Sequence, residues 1–285
     1  MNGTDILIRH AAPQDSKDVL QLCRLLDPGD YVVRAWPLWI KMKGAINLVA
    51  EVGGRVVGCW HAEPLTSQEA WSQGTRVHPE RQGRGIGTSL LRFLESELRQ
   101  KGFRVIRGSI APTNQASLAL VRKFNWHVVA RICRREAAGR SFGFLQLPFA
   151  SLEEAVLLSR EWPVLASRSH LAHFRRAYFS MTEAHLKKLT ANKAVLLSSD
   201  RRAFAILDQE SGTAGRQVWV VALAGEDAEI KDILWALIAQ AREGAASVLV
   251  DSSEEQPVQA RLNELGFKPA APDGKYVIVE RRLEL

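Results

Sequence analysis

A chain of 285 residues, 46% hydrophobic and 24% charged, has room for one large or two ordinary domains and the profile of a folded protein rather than a disordered one. No apolar run reaches the roughly 20 residues of a membrane-spanning helix, and the opening MNGTDILIRH lacks the basic-then-apolar order of a secretory leader. A cytoplasmic protein without membrane contact is therefore expected. Cys23, Cys59 and Cys133 are odd in number, far apart and without metal-ligand spacing, which argues against a disulfide framework or a bound metal.

The net charge of +7 is unevenly spread. Residues 1–150 carry 21 Lys and Arg against 12 Asp and Glu, a net of +9, whereas residues 151–285 carry 17 against 19. A basic first half suits an anionic ligand, either a phosphorylated cofactor or nucleic acid. No recognisable reading helix or base-stacking motif accompanies the charge, so nucleic acid is the weaker expectation.

In chain order, ILIRH reads as a short strand and PQDSKDVLQLCRLL as a helix with Val19, Leu20, Cys23 and Leu26 on one face. Residues 27–44 carry Tyr31, Trp36 and Trp39 but no clear period. AINLVAEV and RVVGCWHA, joined by Gly53 and Gly54, form a hairpin. AWSQGTRV is the next strand, stopped by Pro79. Ile86, Leu90, Leu91, Leu94 and Leu98 mark a long amphipathic helix that Gly102 caps. FRVIRGSI is a strand, Asn114 caps a helix to about Phe124, and strands follow at WHVVARIC and around FGFLQLPF.

The second half repeats this order. KAVLLSSDRRAFAILD reads as a hairpin, QVWVVAL as a strand, DAEIKDILWALIAQAREG as a helix, ASVLVD as a strand, EEQPVQARLNELGF as a helix and KYVIVERR as a last strand. The similar spacing of six successive elements favours a tandem duplication over a generic α/β alternation. The expected division is 1–150 and 151–285, with 151–192 holding a linker and the opening helices of the second copy.

QGRGIGT, residues 82–88, places three glycines directly before a helix. A helix N-terminus presents unpaired N–H groups and a partial positive charge, and glycines let those groups converge on phosphate oxygens. The spacing is neither the dinucleotide G-x-G-x-x-G nor a Walker A loop. It does match Gln/Arg-x-x-Gly-x-Gly/Ala through Gln82, Gly85 and Gly87, after a strand ending Val77-x-Pro79. With the downstream block NQASLALVRKFNW, the first half resembles the GNAT superfamily of acetyl-CoA-dependent N-acetyltransferases.

That resemblance implies an α/β (α+β) protein of two tandem GNAT-like domains, each a mixed, mostly antiparallel twisted sheet flanked by helices. It implies that Val77, Gln82, Gly83, Arg84, Gly85, Ile86, Gly87 and Thr88 bind acetyl-CoA, with the backbone amides from Gln82 to Thr88 holding its diphosphate, and that Asn114 contacts its arm. It further implies that the strand ending at Val77 splays from FRVIRGSI near Gly108 and Ser109, leaving an edge for the pantetheine. Arg81 is a further candidate for a phosphate.

The sequence departs from the family block in places. Val121 stands where a tyrosine often protonates the departing thiolate, and an aliphatic group cannot donate a proton. Asn125 replaces a glycine at a left-handed turn that asparagine tolerates, and Trp126 replaces a phenylalanine. An ammonium acceptor must lose a proton, for which Glu69 is the first candidate, with His61, Glu63 and His78 as alternatives. The segment DYVVRAWPLWI resembles one in amino-acid acetyltransferases of the family, making Asp30, Tyr31, Trp36 and Trp71 candidate acceptor-binding residues; Trp39 and Trp60 belong to the same cluster. At the equivalent loop the second half has only Gly225, followed by Glu226 and Asp227, and acidic groups there repel a diphosphate. The second domain is expected to be a degenerate copy without a phosphate loop. The expected function is acetyl transfer to a primary amine of a small molecule, amino acid or peptide by direct attack. The alternative is a non-catalytic acyl-CoA sensor or interaction module. A homodimer is compatible with the sequence.

Overall fold

The structure is a computed structural model that describes residues 6–139, 146–161, 171–174, 177–208, 217–241, 247–253, 258–270 and 274–284. The chain forms two compact units. The first comprises residues 1–109, 114–127 and 279–285, and the second residues 110–113 and 128–278. Among the described residues no helix is long and apolar enough to cross a membrane.

In the first unit, β1 (Leu7–His10), β2 (Ile46–Val52), β3 (Arg55–Pro64) and β4 (Glu69–Val77) pair antiparallel in that order, and β5 (Val105–Ile110) lies parallel to β4. The last residues of the chain complete this unit: Leu283 N donates to Arg104 O (2.8 Å), and Val279 and Leu283 are buried. Helices α1 (Ser16–Leu26) and α2 (Val32–Trp39) pack by Val19, Cys23, Val32, Trp36 and Trp39 against Val49 and Cys59. The predicted buried stripe of α1 is thus corrected in part: Leu22 joins Val19 and Cys23 in the core, while Leu20 is only partly buried. Helix α3 (Ile86–Gln100) buries Ile86, Leu90, Leu91, Leu94 and Leu98, each stabilising the fold by about 2 kcal/mol at most. Gly102 ends it with φ +82°.

The unclear segment 27–44 contains α2. Its buried residues Val32, Trp36 and Trp39 do follow a helical spacing, but Pro37 lies inside the helix and masks the signal. Helix α4 (Gln115–Lys123) starts under Asn114, whose Oδ1 accepts from Ser117 N (3.0 Å). It ends at Asn125 in the left-handed region (φ 57°), so the family's glycine is replaced without loss of the turn. Trp126 packs at 5% exposure and donates to Glu95 Oε1 (2.9 Å).

In the second unit, β6 (His127–Ala138) pairs antiparallel with β12 (Ser247–Ser253). The strands β9 (Val195–Leu197), β10 (Ala203–Leu207) and β11 (Gln217–Gly225) are antiparallel, and β11 runs parallel to β12. Helix α7 (Asp227–Gln240) joins β11 to β12 and buries Ile230, Ile233, Leu234, Leu237 and Ile238. Helix α8 (Val258–Glu264) follows, then the two-residue β13 (Lys268–Pro269) against β6, and last β14 (Lys275–Arg282), whose residues from Val279 onward belong to the first unit. Hairpin, strand, helix, parallel strand and helix repeat in the order of the first unit. The described residues between 151 and 192 include α5 (Leu152–Glu161), a strand pair β7 (Leu171–Phe174) and β8 (Ala177–Ser180), and α6 (Glu183–Ala191), so strands accompany the expected helices. The strand expected around FGFLQLPF falls partly outside the described residues; within 146–150 only Phe149 makes a bridge, to Leu196.

Candidate functional site

Strands β4 and β5 pair only from Glu69 to Trp71 against Val105 to Arg107, although β4 continues to Val77 and β5 to Ile110. They therefore part, as the resemblance implies. The parting strand is bent by a bulge. On β3 the pairing advances from Cys59 to His61 while on β4 it moves from Arg76 to Gln73, one residue more. Gly74 sits in that bulge with φ +72°, and a Cβ on it would lie 2.7 Å from the ring of Trp39. On β5, Gly108 lets Ser72 O approach to 3.0 Å of where its Cβ would be.

At the open end of β4, a short turn at Pro79–Arg81 leads into the glycine loop. Gly83 (φ +74°) and Gly85 (φ +82°) are left-handed, and nothing lies within 4 Å of the Cβ either would carry. The loop thus turns an open face outward, and α3 begins immediately behind it with Gly85 as its N-cap. The first N–H groups of α3 have no partner within the helix. Gln82 folds back, its Nε2 donating to Val77 O (3.2 Å). A cavity of about 630 Å³ runs from this cradle along the free end of β4 to α4. Its lining includes Val77, Gln82, Gly83, Gly85, Ile86, Gly87, Thr88 and Asn114. Of the expected cofactor residues only Arg84 lies outside the lining; it is exposed.

The cavity also touches Leu26, Thr75, Arg76, Arg81, Ser117, Leu120 and Lys123. Ser117 and Lys123 lie within the downstream block NQASLALVRKFNW but were not singled out in it, and Arg76 carried no signal. An open apolar-and-amide cleft of this size is in the range of small-molecule sites, and a cradle with free Cβ directions before a helix fits a diphosphate. The residues present therefore fit an acyl-CoA tail. Val121 is 5% exposed and Leu120 takes the cavity wall beside it.

The other candidate residues lie away from the cradle. Glu69 stands at the closed end of the splay, its carboxylate 3.1 Å from Arg107 Nη1; Arg107 also reaches Glu280 at 2.8 Å. Glu63 is opposite Trp71 and accepts from Gln73 Nε2 (3.0 Å). Asp30 is 5% exposed and grips Arg76 through both oxygens, so it does not offer a free carboxylate to an ammonium. Trp36 (0%) and Trp71 (1%) are core side chains. Of the four expected acceptor residues these three are buried, and Tyr31 keeps some surface. Trp60 is packed and donates to Ser72 Oγ (2.6 Å).

His61 is fully buried, stacked on Trp39 with centroids 4.1 Å apart, and its Nδ1 meets Asn47 Oδ1 at 2.8 Å. Burial lowers its pKa from 6.5 to about 3, which disqualifies it as a base at neutral pH. It has a consequence for stability instead. Folded His61 stays neutral while the unfolded side chain takes up a proton as pH falls through 6.5, so stability is lost on acidification between 6.5 and about 3. Between pH 6.5 and 5 this group alone should cost about 2 kcal/mol. Urea unfolding at the two pH values should show that loss in the wild type and its disappearance in His61→Gln; an equal loss in both would contradict the assignment.

In the second unit the equivalent helix, α7, opens on Glu226 and Asp227, which pair with Arg202 and Arg261. A Cβ on Gly225 would strike Ala203 at 2.3 Å. This helix start has no open glycine cradle.

A sheet whose parallel pair parts at a bulge, with a glycine cradle leading into a helix at the open end, defines the acetyltransferase fold that the sequence resembles. The chain matches the acetyltransferase (GNAT) family over residues 17–126. Over 125 residues it is 32% identical to the L-2,4-diaminobutyric acid acetyltransferase of Nocardia farcinica, a stretch covering 41% of this chain and 62% of that protein's length. Its fold is similar over 98% of the chain to a GCN5-related N-acetyltransferase from Sphaerobacter thermophilus (96% of that chain, TM-score 0.65, 13% identity). It is also similar over 99% of both chains to a tandem GNAT protein from the clavulanic acid biosynthesis pathway (TM-score 0.58, 13% identity). The tandem arrangement is thus a property of the fold.

Proposed function

We propose that the protein is an acetyl-CoA-dependent N-acetyltransferase acting on a primary amine of a small molecule, amino acid or peptide. The observation that carries this reading is the cavity joining the cradle of residues 82–88 to the free end of β4. The bound cofactor supplies an activated acyl group as a thioester. The backbone amides of the loop and of the first turn of α3 bind its diphosphate, and the unpaired edge of β4 from Thr75 to Val77 aligns its arm. The diaminobutyric acid acetylated by the Nocardia relative supports an amino-acid acceptor. Tyr31 is the proposed aromatic contact for it.

Glu63 and Glu69 share the sheet face of Trp71, because Glu63 is its cross-strand partner and Glu69 lies two residues before it. Glu69 is the proposed carboxylate for taking the ammonium proton, with Glu63 as the alternative; Val121 leaves the thiolate to be protonated by water. Thiol release from acetyl-CoA over a panel of amino acids, diamines and short peptides tests the activity. Turnover is expected with at least one primary amine, and Glu69→Gln should then lower kcat/KM tenfold or more and remove its acid limb. Tight acetyl-CoA binding without turnover across the panel would establish the non-catalytic sensor in its place.

A further inference from the structure

Arg76 poses a question that its position sharpens. It lies on the free end of β4 and lines the cavity beside the glycine cradle, where an arginine would ordinarily serve a phosphate. Its donors are turned elsewhere. Nε reaches Asp30 Oδ2 at 2.5 Å, Nη2 reaches Asp30 Oδ1 at 2.7 Å and Nη1 reaches Thr75 O at 2.8 Å. The guanidinium carbon also lies 5.5 Å from the Tyr31 ring centroid. Asp30 is held from its own side, because Oδ1 accepts from Val32 N at 3.0 Å in the first turn of α2.

The contacts converge on one stretch of backbone. Residues 74–77 belong to the part of β4 that has left β5, which begins after Trp71. Two residues before Arg76, the Trp39 ring fills the space in front of Gly74. The segment from Asp30 to Trp39 therefore grips the bulge at one point and the strand beyond it at another. A bidentate arginine–carboxylate pair fixes direction as well as distance. The strand edge that would lie along the cofactor's arm is accordingly set from the side, by α2 and the turn before it, and not by its former partner strand.

We propose that the Asp30–Arg76 pair is a latch: it holds the free edge of β4 in the register that receives the acyl arm, and it takes no part in holding the diphosphate. Asp30 and Arg76 are positioning residues in this account, acting through the backbone of Thr75 to Val77. The inference rests on the acetyl-CoA reading above and extends it, since it divides the cofactor's affinity into a tail held by the loop and an arm held through the latch.

That division makes it testable by binding alone. Two ligands are titrated calorimetrically into the full chain: acetyl-CoA, and 3′-phosphoadenosine 5′-diphosphate, which has the diphosphate but no arm. The wild type is expected to bind both, acetyl-CoA more tightly. Asp30→Asn is expected to weaken acetyl-CoA tenfold or more while leaving the armless nucleotide within twofold. Arg76→Lys keeps the charge opposite Asp30 but loses the planar fork, and it should shift the ratio the same way by a smaller factor; it carries the test should Asp30→Asn fail to fold. Equal weakening of both ligands would show a pair that merely supports the fold, and no weakening of either would show a pair without consequence; each overturns the latch. A wild type that binds neither ligand would overturn the acetyl-CoA reading and this inference with it, whereas a wild type that binds both with an unchanged ratio in the variants overturns the latch alone.

Discussion

Gly85→Glu is expected to abolish acetyl-CoA binding while leaving the protein folded. Gly85 adopts φ +82° as the N-cap of α3, with empty space where a Cβ would go. Any L-residue there carries about 1–2 kcal/mol of left-handed strain. A glutamate adds more, because its carboxylate projects from the cradle at the positive end of a 15-residue helix and takes the place intended for a diphosphate. Repulsion and occupation act together, so the affinity should fall at least a hundredfold, equivalent to about 2.7 kcal/mol. Gly85→Ala, which carries the strain alone, should lose about tenfold. Calorimetric titration gives the affinities, and thermal melting should show a midpoint within a few degrees of the wild type. Wild-type affinity in Gly85→Glu would mean that the loop is only a turn.

Arg107→Ala should be the most destabilising single change in the first unit. Arg107 is 4% exposed, and its guanidinium binds Glu280 at 2.8 Å and Glu69 at 3.1 and 3.3 Å. Removing it leaves two half-buried carboxylates beside one another without their shared cation. Breaking a buried pair in this way costs about 3–5 kcal/mol, enough to lower the melting midpoint by roughly 10 °C or more. The cost is that of stranded charge, so the triple variant Arg107→Met with Glu69→Gln and Glu280→Gln should recover most of it. Urea unfolding of the three proteins decides the matter: a loss under 1 kcal/mol in Arg107→Ala, or no recovery in the triple variant, would contradict the account. Removing residues 279–285 should also destabilise the first unit, since Glu280, Val279 and Leu283 pack within it.

What was legible in the sequence is what local chemistry dictates. The glycine loop, the apolar period of α3 and the Asn114 cap are written within a few residues each, and the structure places them together. The echo between the halves was legible because each element carries its own period, down to Glu226 and Asp227 at the start of α7. The pairs Arg76–Asp30 and Arg107–Glu280 are separated by 46 and 173 positions. A charged residue does not announce its partner across such a distance, so Asp30 read as a free carboxylate and Arg107 did not register at all. The tryptophans are ambiguous for a related reason. An indole serves a core and a ligand wall equally well, and only burial separates Trp36 and Trp71 from Tyr31. Helix α2 was hidden by Pro37, and its position over Gly74 is what turns a bulge into a shaped site.

The most direct test is a crystal structure of the protein with acetyl-CoA. The diphosphate should lie on the amides of residues 82–88 at the start of α3, with the arm running along Thr75 to Val77 in the gap between β4 and β5. A cofactor bound in the second unit or elsewhere in the first, with that loop left bare, would contradict it.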